Sequence, residues 1–191
     1  MNGKQHRPGS VPRRKVVAGG LAALVLAGRP APRAAARTML LRGMTGGGLA
    51  RIERGDEPEL VNFSVFASAM ILPDGQGLVV GSIRWIEAGT GLRLQTIEVT
   101  VCRPMADRPD GADIRGRMSV DGEGDYPFLL EAIDAGQPGS GLDAVRLEVN
   151  SPRAREESTT EATDADFVYE VAAALVAGDC QWIIVDAALA E

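Results

Sequence analysis

From Leu60 to Cys102 the chain largely alternates apolar and polar residues at every second position, in stretches joined by short glycine turns. This constrains the fold more than any other feature, because a two-residue repeat gives one buried face only to an extended strand. Val61, Phe63, Val65, Ala67, Ala69 and Ile71 share a face, opposite Asn62, Ser64 and Ser68. Pro73-Asp74-Gly75-Gln76 reverses the chain, and Leu78 to Glu87 follows with Val79, Ile83 and Trp85 on one side. Ala88-Gly89-Thr90-Gly91 then turns it into Leu92 to Cys102. The pattern predicts an antiparallel β-meander.

The same reading extends downstream. Ala112, Ile114, Gly116, Met118 and Val120 alternate with Asp113, Arg115, Arg117 and Ser119, and Asp121 to Asp125 supplies a hairpin connection into Tyr126, Phe128, Leu130 and Ala132. Val145, Leu147 and Val149 form a further strand after the turn at Asp134 to Gly141. Ser151 to Asp166, polar and charged, reads as a mobile surface loop. Phe167 to Ala177 suits a helix or a strand, and an all-β context favours strand, ended by Gly178-Asp179; Trp182 to Val185 closes the sheet. Upstream, Gly46-Gly47-Gly48 costs too much backbone entropy for a regular element, so residues 37–48 read as a flexible lead into a first short strand, Leu49 to Arg54. The expected fold is all-β: a single domain over residues 49–191, an antiparallel β-sandwich or small β-barrel of eight or nine strands.

The N-terminal segment has a different character. Lys4, Arg7, Arg13, Arg14 and Lys15 precede an apolar run from Val16 to Gly28, and Ala34-Ala35-Ala36 supplies the small residues of a cleavage site. Residues 1–36 therefore read as an export signal, and the run is shorter than the roughly 20 residues a membrane span needs. Arg13-Arg14 followed by Lys15, Val16 and Val17 resembles a twin-arginine signal, with the ordinary secretory route as the alternative. The expected location is outside the cytoplasm, in periplasm, at the cell surface or extracellular, with no stable membrane span after cleavage.

Removing that segment takes away seven of the 20 Lys and Arg and none of the 26 acids, leaving 13 bases against 26 acids and a net charge of −13. Such a surface repels phosphate backbones, which argues against nucleic-acid partners. His6, Lys4 and Lys15 all lie in the signal, so the remaining chain contains neither histidine nor lysine. Ser-His and Cys-His nucleophile pairs, histidine metal sites and lysine Schiff bases are thereby excluded from it. Paired carboxylates could still hydrolyse glycosides, which needs only two acids at a suitable separation. No catalytic residue and no cofactor is assigned.

Cys102 and Cys180 suggest a disulfide in an oxidising compartment, with two buried free thiols as the alternative. Asp107, Asp110 and Asp113, and separately Asp121, Glu123 and Asp125, are oxygen clusters that could bind Ca²⁺, although aspartate and glycine are also what tight turns prefer. Trp85, Tyr126, Phe128, Tyr169 and Trp182 could line a ligand cavity or fill a core. Phe66 and Met70 fall on the otherwise polar face of their strand and are candidates for an exposed patch.

Gly46-Gly47-Gly48, Phe63 to Ala69, Gly77 to Trp85, Val99-Thr100-Val101-Cys102 and Tyr126-Pro-Phe-Leu-Leu with Asp134-Ala-Gly-Gln-Pro-Gly and Asp143 resemble a family of small secreted bacterial β-domains, the post-COAP domains. The resemblance implies an exported, non-catalytic all-β module and transfers no catalytic residue. It leaves the extracytoplasmic ligand or protein partner open, and a β-barrel carrier of a small apolar ligand is the competing reading.

Overall fold

In the computed structural model the described residues are 38–54, 57–72, 76–137 and 140–188, so the segment read as an export signal and the Pro73 to Gly75 part of the first turn lie outside them. Eight antiparallel strands close into a barrel: β1 (Thr38–Arg54), β2 (Glu57–Ile71), β3 (Gly77–Glu87), β4 (Arg93–Pro104), β5 (Gly111–Val120), β6 (Glu123–Ile133), β7 (Ala144–Val149) and β8 (Tyr169–Ala188). Each strand pairs with its neighbours in sequence, and β8 returns to β1 along most of its length. Closure leaves no free sheet edge at that junction.

The alternating residues face the barrel interior. Val61, Phe63, Val65 and Ala67 on β2, Ile83 and Trp85 on β3 and Ala112, Ile114 and Met118 on β5 are all buried. Ile71, at the strand end, is exposed. Between β5 and β6 the turn is the two residues Asp121 and Gly122, both at positive φ (53° and 86°), since Val120 pairs with Glu123. This is the backbone pattern of a type I′ hairpin, whose twist matches the flanking strands.

The triglycine run is not a lead. Gly46, Gly47 and Gly48 lie inside the 17-residue strand β1, opposite Cys180, Asp179 and Gly178 of β8. There the two backbones nearly touch: a Cβ on Gly48 would lie 2.0 Å from the Ala177 carbonyl oxygen, and one on Gly178 would lie 2.1 Å from that of Gly47. Gly178 also has φ +111°, a region that side chains disfavour. Glycine is used here to let two strands approach at a bulge, between Leu49 and Ala50, rather than for flexibility. For the same reason Gly178-Asp179 does not end the last strand, and β8 runs straight through it.

Ser151 to Asp166 is likewise anchored rather than loose. Ser151 caps a four-residue helix, α1 (Pro152–Arg155), by accepting a hydrogen bond from the Ala154 amide at 3.0 Å. Fully buried Asn150 donates through Nδ2 to the carbonyl oxygens of Asp164 and Phe167, at 3.1 and 2.6 Å, and accepts from Arg155 Nε at 2.8 Å. The segment lies over the outer face of β6, where Leu129 is 1% exposed although it points away from the barrel interior. Where β8 runs beyond the end of β7, carboxylates of the β6–β7 connection take over the ladder. Asp143 Oδ2 accepts from the Cys180 amide at 2.7 Å and Asp134 Oδ2 from the Trp182 amide at 3.0 Å.

Candidate functional site

Inside the barrel, the sequence candidates come together as packing. Trp85 packs at a tilt against Phe63 and meets Tyr169 edge-on, with ring centroids 6.0 and 6.5 Å away. Its indole N–H donates to the Tyr169 hydroxyl at 2.8 Å, and that hydroxyl donates to Glu87 Oε1 at 2.6 Å. Arg54 pairs with the same carboxylate at 3.0 Å and Thr90 Oγ1 donates to Oε2 at 2.6 Å. Glu87 is 1% exposed, so its charge is neutralised by an ion pair and satisfied by hydroxyl donors rather than by water. Burial, and next the hydrogen bond to Glu87, raise the Tyr169 pKa well above the ordinary phenol value, which keeps it a donor.

Tyr126 packs on Phe167 with ring centroids 5.2 Å apart, and Phe128 is completely buried. Trp182 is only partly buried, at the far end of β8, and its indole N–H lacks a partner among the described residues. Of the five aromatic candidates, only Trp85 and Tyr169 are brought into one network.

The acidic candidates are dispersed. Asp110 pairs with Arg108 at 3.0 Å, and Asp113 with Arg103 and Arg115 at 2.9 Å each. Asp121 Oδ1 accepts from the Arg93 amide at 2.9 Å, and Asp125 pairs with Arg117. Asp107 lies in the β4–β5 connection and Glu123 opens β6. Among the described residues no group of three metal-ligating side chains is placed to hold an ion.

The expected disulfide is not formed: Cys102 and Cys180 are both buried free thiols. They stand on β4 and β8, which are not neighbours in the ring, and the Cys102 thiol is directed at the backbone of Met44 and Ala69 rather than at Cys180. Burial pushes the Cys102 thiol up to about 11 and the Cys180 thiol, with the Asp143 charge adding to the effect, up to about 12, from an ordinary value of 9.0. Both are neutral at physiological pH and poor nucleophiles. A thiol-reactive dye should therefore label neither cysteine in the native protein and both after denaturation; rapid native labelling would contradict this arrangement. Because the folded thiol and Tyr169 pKa values are raised, their stabilising contribution is complete below pH 9 and is lost as pH climbs towards 12, where only the unfolded chain readily releases those protons.

Outside the barrel, a groove of about 300 Å³ lies between β4, β5 and the segment after α1. Arg115 and Arg117, from the polar face of β5, border it with Glu98, Thr100, Glu157 and the run Ser158-Thr159-Thr160. The guanidinium groups already have acceptors: Arg115 bonds Asp113 and the Arg153 carbonyl at 2.9 and 3.2 Å, and Arg117 bonds Glu98 at 3.1 Å. Arg103 ties Asp113 to Glu157, at 2.9 and 2.7 Å, closing one end. Hydroxyl groups on a rigid wall can recognise a neutral polar ligand, but no nucleophile and base are paired here. The alternation of Arg115 and Arg117 marks one wall in the sequence. The threonine wall depends on how α1 docks, and nothing local signals it. The chain matches no known family model, no curated protein and no solved structure.

Proposed function

We propose that this protein is an exported, non-catalytic β-barrel module that acts by binding at its outer surface. The observation that carries the reading is the filled interior. Ile52, Ile83, Trp85, Leu94, Ile114, Met118, Phe128, Leu130 and Leu147 have zero exposure, whereas a void wide enough for water would leave accessible area on its walls. A carrier of a small apolar ligand needs such a void, so the outer face is the surface left for recognition. The lysine-free and histidine-free composition beyond residue 36, and the net charge of −13 there, agree with a module that neither uses nucleophile–base pairs nor binds nucleic acid.

Export is tested by expressing the full chain and sequencing the N-terminus of the product from each cell fraction. The expected product begins near residue 37 and lies outside the cytoplasm; an unprocessed, cytoplasmic chain overturns the reading. Binding inside the barrel is tested by titrating an apolar fluorophore while following tryptophan emission. No saturable energy transfer from Trp85 is expected, and its appearance would favour the carrier.

A further inference from the structure

We propose that the outer face of β8–β1–β2–β3 binds a second copy of this chain across a two-fold axis parallel to the strands. The outer surface is divided by charge. On β5 to β7 it presents Arg115, Arg117, Glu131, Arg146 and Glu148, locked in ion pairs. The opposite half is apolar: Phe66, Leu78, Val80, Ile183 and Val185 are each 40 to 53% exposed.

The strand register places these residues in rows across the four strands. One row runs Ile183, Gly43, Ser68, Val80, and the next Val185, Leu41, Met70, Leu78. Gly43 and Ser68 are buried although they point outward, so the middle of the face is recessed and its flanks are raised. The apolar flanks are the part of this face that a partner would meet first.

A two-fold axis running along the strands between β1 and β2 maps each row onto itself reversed. Ile183 then meets Val80 of the partner, Val185 meets Leu78, and Leu41 meets Met70. Two rows away, Asp179 on β8 lies level with Gly47, Ser64 and Arg84 on β3. They are the only charged residues in these rows, they have opposite sign, and they stand at opposite edges. Reversal brings Asp179 of one copy to Arg84 of the other, twice. Among the described residues, exposed Arg84 has no ion-pair partner, and Asp179 bonds only its neighbour Gln181, at 2.7 Å.

Area supports a dimer as well. Four strands about 4.8 Å apart and nine residues long project roughly 600 Å², before side-chain relief, against the ~800 Å² per partner of a standard interface. Two strongly acidic chains can approach here without apposing like charges.

The experiment is sedimentation of the full chain and its variants at micromolar concentrations. Wild type is expected at twice the mass of the single chain. Asp179→Arg and Arg84→Asp should each weaken the dimer by roughly tenfold or more, since each opposes two pairs of like charges. The double variant Asp179→Arg/Arg84→Asp should return close to wild-type affinity. Phe66→Asp should give single chains with unchanged circular dichroism, and Val168→Asp, exposed but off this face, should leave the dimer intact. A monomeric wild type, single charge reversals without effect, or failure of the double reversal to restore the dimer would each overturn the proposal. The restoration arm also separates this face from self-association through the apolar N-terminal run, which charge exchange on the barrel cannot repair.

Discussion

Gly178→Ala is expected to destabilise the barrel by roughly 2–6 kcal/mol, combining the ~1–3 kcal/mol of an unfavourable backbone region with the ~1–3 kcal/mol of an overpacked contact. The new methyl would sit 2.1 Å from the Gly47 carbonyl oxygen and 2.7 Å from the Gly48 Cα, both backbone atoms of a strand paired on each side. Neither can move without pulling β1 from β2 or β8. Two further glycines separate the causes. Gly91 has φ +76°, but a Cβ added there would meet nothing within 4 Å, so Gly91→Ala should show the backbone contribution alone, about 1–3 kcal/mol. Gly77 has ordinary φ and a nearest neighbour at 4.0 Å, so Gly77→Ala should be neutral or stabilise by up to about 1 kcal/mol. Urea midpoints at constant m rank the three variants. A Gly178 variant no weaker than the Gly91 variant would mean that β1 and β8 do not approach as closely as described.

Glu87→Ala should cost about 1–3 kcal/mol, the usual consequence of leaving a buried donor without its acceptor. Arg54, Thr90 and Tyr169 all direct hydrogen atoms at this carboxylate, and Arg54 also lies over the Tyr169 ring at 5.0 Å. The buried Tyr169 hydroxyl would then lose its acceptor, whereas exposed Arg54 and Thr90 would turn to water. Tyr169→Phe removes the link between the Trp85 N–H and Glu87, and should cost about 1–3 kcal/mol through the unsatisfied indole and carboxylate. Since both substitutions break one chain of hydrogen bonds, the double variant should cost less than their sum by roughly 0.5–3 kcal/mol. Strict additivity in that double-mutant cycle would show that the network does not act as a unit.

The strands of the meander and of the β5–β6 hairpin are legible in the chain because their causes are local. Alternation decides which side of Val61 to Ala67 is buried, and Asp121-Gly122 sets its own turn through two positive φ angles. The absence of lysine and histidine after residue 36 is likewise a property of composition, and it narrows the chemistry before any fold is known. Closure is different in kind. Whether Gly46 to Gly48 forms a tether or a strand depends on β8 lying against it, more than a hundred residues away. That Cys102 and Cys180 remain free thiols depends on β4 and β8 not being neighbours in the ring. Ser151 to Asp166 is polar enough to be loose, and it is held because Asn150 and Ser151 are buried against Glu148 of β7 and the Phe167 carbonyl just before β8. Short-range sterics and periodicity thus determined the elements, while long-range pairing alone decided which glycines are structural, which thiols can meet and which face of the barrel is largely apolar.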